Sequence, residues 1–433
     1  MKVVLVNPSL SIDSDNTSGE KTRFFPEGLA AVAAALLHVG HEVQVVDICA
    51  QQQLTPEVCK DADVFGITGM INQFADLEVI IPHLRELNPK AKLMLGGPLV
   101  TCAPELIRQF LDFDIAVIGE GEKTVVELLQ DKHLINSKGR SAVGDDKPRI
   151  VSATSYLNPE DFILPAFKLF DLSWYISGIN RSHLRAVGMS GGIINNMMVS
   201  RGCPRLKNCG FCGQFFGHAI RCKPTHLVWQ EMKMWTDAGA SAIRFQDDNL
   251  TLLSAEMQEE IYGLVSSLGL RWAGHSRVDA VNLSKLKRMK KAGCKVLYLG
   301  IESFSNQALS FADKGTTAAK AVNAVNMTLE AGIRPAAFFL LGLPGETRES
   351  LQAVVRFVRD YRILVTPYIL CPIPGTPLFE LARLQIPDIR DYLRHCSNWE
   401  NRQLAEGKLY INLTDLPDEL LLETYKELKE LGK

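Results

Sequence analysis

Hydrophobic positions along this chain come in two alternating patterns. Short apolar runs at Val3–Asn7, Val43–Ile48, Asp63–Thr68, Lys92–Leu95 and Ile115–Ile118 read as strands. Between them lie stretches whose apolar positions recur at helical spacing. One opens at Pro26, runs through Leu37 and stops near Gly40. Another spans Asn72–Leu87, with Phe74, Leu77, Ile80, Ile81 and Leu84 on one face. Short buried strands separated by amphipathic helices predict a parallel, doubly wound sheet over residues 1–130. Ligands on such sheets sit beyond the carboxyl ends of the strands. Glycine clusters stand at two of those ends, Gly96-Gly97-Pro98 and Gly119-Glu120-Gly121-Glu122.

Residues 131–190 change character. Lys138-Gly139-Arg140-Ser141 and Gly144-Asp145-Asp146-Lys147-Pro148 are polar and turn-rich, as in a linker. Ile163-Leu164-Pro165-Ala166-Phe167 and Trp174-Tyr175 read as a segment packed against the next domain. The alternation resumes over 191–380. Strands are expected at Met197–Ser200, Ala242–Phe245, Arg271–Gly274, Lys295–Ile301, Pro335–Leu341 and Leu364–Leu370, with helical patterns between them. Six strand–helix units in series predict a partial (βα)6 TIM-like barrel, whose chemistry sits at the carboxyl ends of its strands. Residues 381–433 are Leu-rich and helical in pattern, notably Asp418 to Leu431, and are expected to pack as a cap. The fold class is α/β: a Rossmann-like domain, a partial barrel and a helical C-terminal region.

Bulk composition narrows the function. Apolar residues make up 46% of the 433 positions and charged residues 22%, with a formal charge of −2. Nothing there points to nucleic acid or an acidic membrane surface. The longest apolar stretch, about Gly28 to Leu37, is too short to span a bilayer. Met1-Lys2 leads directly into a strand, so no signal peptide is read and a cytoplasmic location is expected. Ten cysteines are too sparse for a disulfide scaffold.

Three of those cysteines are crowded together. Ser200-Arg201-Gly202-Cys203-Pro204-Arg205-Leu206-Lys207-Asn208-Cys209-Gly210-Phe211-Cys212 follows the first barrel strand. Thiolates are soft ligands that suit zinc or an iron–sulfur cluster. Three of them on a [4Fe–4S] cube would leave one iron open to another molecule. Two other arrangements use the same residues. Cys203, Cys209, Cys212 and Cys222 could make a four-cysteine metal site, and Cys209 with Cys212 could be a redox pair.

The run Ser-Arg-Gly-Cys-Pro … Cys-Gly-Phe-Cys resembles the cluster loop of radical S-adenosylmethionine (SAM) enzymes. That family usually has three residues between its first two cysteines, and this chain has five. Further segments resemble, in order, landmarks of the cobalamin-associated members. They are Phe245-Gln246-Asp247-Asp248-Asn249-Leu250-Thr251, Gly300-Ile301-Glu302-Ser303, Leu341-Gly342-Leu343-Pro344-Gly345-Glu346-Thr347 and Pro372-Ile373-Pro374-Gly375-Thr376-Pro377. Residues 1–130 resemble the cobalamin-binding domain that precedes such barrels, through Asn7-Pro8, Pro26-Glu27-Gly28-Leu29 and the two glycine clusters.

The resemblance implies a set of site residues. Cys203, Cys209 and Cys212 would hold a [4Fe–4S] cluster whose open iron chelates SAM. Phe211 would lie against adenine or pack beneath the loop. Asp247 and Asp248 would divide two tasks, one binding the ammonium of SAM and one capping the turn. Arg277 is the candidate for the SAM carboxylate, because guanidinium pairs with carboxylate in a fork; the alternative is a surface ion pair. Glu302 would accept from ribose or an amine. Thr68, Gly69, Gly96, Gly97, Gly119 and Glu120 would face cobalamin. Methionine-synthase-type domains carry Asp-x-His-x-x-Gly after the first strand, whereas Pro8-Ser9-Leu10-Ser11-Ile12-Asp13 has no histidine, so no protein histidine is expected on cobalt.

The implied activity is methyl transfer from SAM through cobalamin to an unactivated carbon of a small molecule or peptide. A second SAM gives the deoxyadenosyl radical, with electrons from a donor such as flavodoxin or ferredoxin. Cofactors carry the hard chemistry in such a scheme. Rival readings are a cobalamin-dependent cyclase or rearrangement enzyme, a radical SAM enzyme with an empty first domain, and a non-enzymatic four-cysteine metal protein. A methylthiotransferase fits less well, since Cys49, Cys59 and Cys102 do not form a second cysteine cluster. Cys294 is expected in the core, Cys371 is a candidate for the substrate cavity, and Gly375-Thr376-Pro377 reads as a structural turn.

Overall fold

A computed structural model describes residues 1–8, 23–131, 148–153, 155–176, 188–189, 191–205, 207–397 and 399–432. Two parallel six-stranded sheets organise them. The first runs in the order β2-β1-β3-β4-β5-β6. Its strands are β1 (Lys2–Asn7), β2 (Glu42–Asp47), β3 (Val64–Thr68), β4 (Lys92–Gly96), β5 (Ile115–Ile118) and β6 (Arg149–Ser152). The central strands are buried on both faces, so they read as continuous apolar runs. Helix Glu27–His38 covers one face and helix Phe74–Leu87 the other, the second burying the five apolar residues of its predicted stripe.

β6 corrects the expected boundary at residue 130. Arg149–Ser152 pairs in parallel with Ile115–Ile118, so the sheet reaches into the segment read as linker. It was illegible because an edge strand with half-exposed side chains needs no apolar run. Residues 138–141 and 144–147 of the expected linker lie outside the described residues, as do residues 9–13 of the loop that lacks histidine.

The second sheet runs β7 (Gly192–Met197), β10 (Ala240–Phe245), β11 (Arg271–Arg277), β12 (Cys294–Glu302), β13 (Arg334–Leu341), β14 (Leu364–Ile369), every neighbour parallel. Successive connection through helices on one side gives the half-barrel expected from sequence. Its outward residues, such as Trp272, Leu297 and Phe339, join the large core beneath the helices. Its inward residues Ala242, Ala273, Val296 and Ala336 form a separate small cluster. Helix Asp418–Leu431 packs along β14. Among the described residues no helix is long and apolar enough to cross a membrane.

The first barrel strand ends earlier than expected, at Met197 rather than Ser200. Ser200–Arg201 turn away as β8 and pair antiparallel with β9 (Arg221–Cys222). The cause is Asp247 at the end of β10. Its carboxylate accepts the N–H groups of Val199 (3.1 Å) and Ser200 (2.6 Å) and the Ser200 hydroxyl (2.5 Å), pulling the chain out of the ladder.

The two sheets share one core. Phe25, before the first helix, sits 5.0–5.3 Å, centroid to centroid, from the rings of Phe167, Phe170, Tyr175 and Trp235, and Phe167 lies 5.4 Å from Trp235. The segment read as bridging therefore does bridge. Tyr175 also donates its hydroxyl to Asp47 of the first sheet.

Candidate functional site

β8 and β9 are the legs of a loop that carries all three crowded cysteines. Gly202 opens it with φ +105°, and a Cβ there would overlap the Ala219 carbonyl, so only glycine lets the legs close. Cys203 N–H donates to Gly217 O (3.1 Å) and Cys212 N–H to Cys209 O (2.9 Å). Burial raises the Cys212 thiol above its ordinary value, and the neighbouring Cys209, Asp248 and Cys203 push the same way. Asn249 donates from Nδ2 to Cys203 Sγ at 3.5 Å. The thiols are free.

Three soft thiolates on one loop are a donor set that fits an iron–sulfur cube. A tetrahedral zinc needs its sulfurs about 3.8 Å apart, as follows from a Zn–S bond near 2.3 Å. Among the described residues no three His, Cys, Asp or Glu side chains converge that way. Cys222 pairs with Ser200 across the hairpin; burial and then Asp247, not the loop thiols, raise its thiol.

Buried charges fix the legs to the first domain. Arg201 reaches Glu120 from Nη1 (2.7 Å) and Glu122 from Nη2 (2.8 Å). Arg221 Nη1 meets the other oxygen of Glu120 at 2.6 Å. Lys223 Nζ bridges Glu27 (2.6 Å) and Glu231 (2.8 Å), and the two carboxylates keep it charged despite burial. Burial pushes Asp247 up to about 7. Sequence reasoning missed Arg201, Arg221, Lys223, Glu27 and Glu122 in these roles. The one signal was an arginine immediately before Gly202-Cys203. Glu120, expected against cobalamin, also accepts Leu157 N–H (2.7 Å), and its side chain is 1% exposed. Its carboxylate is shared between the two legs and the Leu157 N–H.

The residues expected around SAM fall into two groups. Asp247 does not cap the turn that follows it; its carboxylate turns back to Val199 and Ser200. Asp248 keeps an accessible side chain at the loop mouth and accepts Gly202 N–H. Arg277, the last residue of β11, is forked on Asp279 (2.8 and 2.7 Å) and donates to Lys314 O (3.0 Å). Glu302 has left-handed backbone (φ +69°) and accepts from Lys314 Nζ at 2.6 Å. That ammonium lies 5.6 Å from the Phe211 ring centroid. Phe211 packs against the Ala308–Leu343–Leu378 cluster. Lys314 was not anticipated; it lies outside every quoted motif. Cys294 is buried in the core. Cys371 sits 3.2 Å from Cys396 Sγ and 3.5 Å from Tyr392 Oη, against the C-terminal helices rather than in the barrel lumen.

Thr68, Gly69, Gly96, Gly97 and Gly119 gather at the carboxyl ends of β3, β4 and β5. Gly97 has φ +90°, and a Cβ there would lie 2.7 Å from Thr68 Oγ1 and 2.9 Å from Gly69 N. By contrast a Cβ on Gly96 or Gly119 would meet nothing nearer than 3.8 or 3.5 Å. The backbone is thus tightly folded behind an open glycine floor, a surface that fits a large flat ligand. This floor faces the cluster loop. Cys102 Sγ donates to Gly213 O (3.4 Å), next to Cys212, and Gly375 (φ +85°) closes on the Cys102 carbonyl. The expected turn at Gly375-Thr376-Pro377 is present, Thr376 capping the helix that follows.

The chain matches the B12 binding domain family over residues 21–129 and the radical SAM superfamily over residues 197–358. It is 30% identical to an uncharacterized methyltransferase of Pyrococcus horikoshii, covering 88% of this chain and 83% of that protein. The chain belongs to the cobalamin-binding radical SAM enzymes. A [4Fe–4S] cluster, SAM and cobalamin are accordingly its cofactors. Another relative in this family is an anaerobic magnesium-protoporphyrin IX monomethyl ester cyclase of Cereibacter sphaeroides, 26% identical over 91% of this chain and 66% of its own length. Among solved structures, the radical SAM methyltransferase TsrM of Kitasatospora setae has the same fold. Its TM-score is 0.65 at 18% identity, covering 90% of this chain and 75% of that one.

Proposed function

We propose that this cobalamin-binding radical SAM enzyme transfers a methyl group to carbon of a small-molecule or peptide substrate. The observation that supports the reading is the junction of Cys102 with Gly213 and Gly375, which joins the domain of the glycine floor to the cysteine loop. A substrate held there would meet both cofactors, and positioning is most of what such a protein must supply. Methyltransferase names among the relatives support it.

The chain's residues divide the work. Cys203, Cys209 and Cys212 hold the cluster, and Asn249 orients Cys203. Asp248 offers an accessible carboxylate for the SAM ammonium. Lys314 and Arg277 place positive charge beside the loop, with Phe211 as an apolar wall. Thr68, Gly69, Gly96, Gly97 and Gly119 form the cobalamin seat, and Glu120 holds the loop legs. When bound, the cluster delivers an electron to SAM and cobalamin carries the methyl group. An external one-electron donor is required.

The test is an anaerobic preparation supplied with iron, sulfide and hydroxocobalamin, then given reductant and SAM labelled in its methyl group. Label should appear on cobalamin, and deoxyadenosine should form. Cobalamin that binds but stays unlabelled would rule out methyl transfer. A product of unchanged methyl count would favour the cyclase reading, for which the Cereibacter relative is the support.

A further inference from the structure

The last barrel strand and the C-terminal helices meet at two thiols. Cys371 follows β14 by two residues, and Cys396 is the last residue of the helix Ile389–Cys396. Their sulfurs are 3.2 Å apart, and both thiols are free. Tyr392, one helical turn before Cys396, donates its hydroxyl to Pro372 O (2.7 Å) and so pins the stretch after Cys371 to this helix. A disulfide bond is about 2 Å long, and the remaining gap is within reach of side-chain torsions.

The two thiols are not equivalent. Cys371 is partly exposed, whereas Cys396 is 2% exposed. The Cys396 S–H beside it holds Cys371 below the ordinary thiol range. Burial, then the adjoining Cys371, hold Cys396 well above it. The thiolate is the nucleophile in disulfide exchange, so an oxidant meets Cys371 first. Two cysteines serving only as small apolar residues would need neither the contact nor the difference.

The helix that carries Cys396 belongs to both halves of the molecule. Its Leu393 is buried in a core cluster of the first sheet. Its Arg390 Nε meets Glu78 of the helix Phe74–Leu87 at 2.6 Å, and Arg394 Nη2 reaches the same carboxylate at 3.0 Å. Ser397 Oγ accepts the Ala75 N–H (3.0 Å) at the start of that helix. Tyr392 and Cys396 pack instead in a separate cluster with Phe379 and Cys371. A bond from Cys371 to Cys396 therefore ties the end of the barrel to a helix that the first domain holds.

We infer that Cys371 and Cys396 form a reversible thiol–disulfide latch between the two domains, closed by a small-molecule disulfide such as oxidised glutathione. The Cys371 thiolate attacks one sulfur of the oxidant and releases the first glutathione, which takes up the proton Cys371 gave up. Cys396 attacks the Cys371 sulfur of the mixed disulfide, and its proton passes to the second departing glutathione. Two protein thiols thus lose two electrons, and one glutathione disulfide becomes two glutathione thiols. The latch does not depend on the methyl-transfer reading.

The test uses the full chain loaded with cluster and cobalamin, kept free of oxygen and equilibrated with oxidised glutathione. Samples are blocked with N-ethylmaleimide and digested with trypsin. Peptides 363–383 and 395–402 each hold one cysteine. They should appear joined and separate again after dithiothreitol. Cys396→Ser should stop at a glutathione adduct on Cys371, and Cys371→Ser should leave Cys396 without one. The joined form should melt several degrees above the reduced form, as expected when a closed loop restricts the unfolded chain, and Cys371→Ser should show no such gain. Separate peptides from the wild type, an adduct on Cys396 in Cys371→Ser, or joined peptides with an unchanged melting temperature would overturn the latch.

Discussion

Replacing Glu120 by Gln separates a ligand-binding role from a structural one. The wild-type cluster is balanced: Arg201 and Arg221 face Glu120 and Glu122, all buried. Glu120 accepts three donors, at 2.7, 2.6 and 2.7 Å. Glutamine keeps the shape but turns one oxygen into an N–H₂ group pointing at an arginine, and leaves a net buried positive charge. Breaking a buried pair on one side costs about 3–5 kcal/mol. For a domain of this size each kcal/mol moves the melting temperature by about 2–4 °C, so the expected drop is about 6–20 °C. Scanning calorimetry of the anaerobic apo-protein reads that shift, and iron per chain after reconstitution should fall with it. Cobalamin affinity, measured below the new transition, should change less than about fivefold, since about 1 kcal/mol is the scale of a lost neutral contact. A melting temperature within about 2 °C of wild type, together with lost cobalamin binding, would refute the structural role and restore Glu120 to the cobalamin seat.

Three further outcomes follow from the geometry. Cys222→Ala should retain wild-type iron content and deoxyadenosine formation, whereas Ala at Cys203, Cys209 or Cys212 should lose both; iron and sulfide assays with product chromatography decide it. Gly202→Ala should lower iron incorporation severalfold with an unchanged far-ultraviolet circular dichroism spectrum, because the φ of +105° and the Ala219 carbonyl leave no room for a methyl group at the loop entrance. Glu346 accepts from Ser303 Oγ and Gly342 N–H, and burial pushes it up to about 7. Its folded value lies above the unfolded one near 4.3, so its contribution is fully present below about pH 4 and is lost as pH rises through 7. The urea midpoint difference between wild type and Glu346→Gln should therefore change with pH between 4 and 7 and be flat above about 8.

Burial on both sheet faces made most of the strands legible. Ile115–Ile118 was read to the residue because it is apolar throughout and flanked by turn residues. Arg149–Ser152 was not, because its pairing partner, not its own composition, makes it a strand. The same division runs through the site. The three loop cysteines announce themselves by spacing. Lys314 and Glu302 are an ion pair that only the return of the chain brings together. Glu120 stands beside the glycine floor, and its side chain turns to arginines far along the chain that its own stretch of sequence does not announce. Arg277 is intermediate, for its partner Asp279 is only two residues away and a local fork was there to be noticed.

The acids that grip the cysteine loop belong to the other half of the molecule. A chimera that borrows the first domain from a relative would have to import Glu27, Glu120 and Glu122 along with the glycine floor. Without them Arg201, Arg221 and Lys223 would each lose a counter-charge, and the borrowed half would fold beside a metal loop it could no longer hold shut.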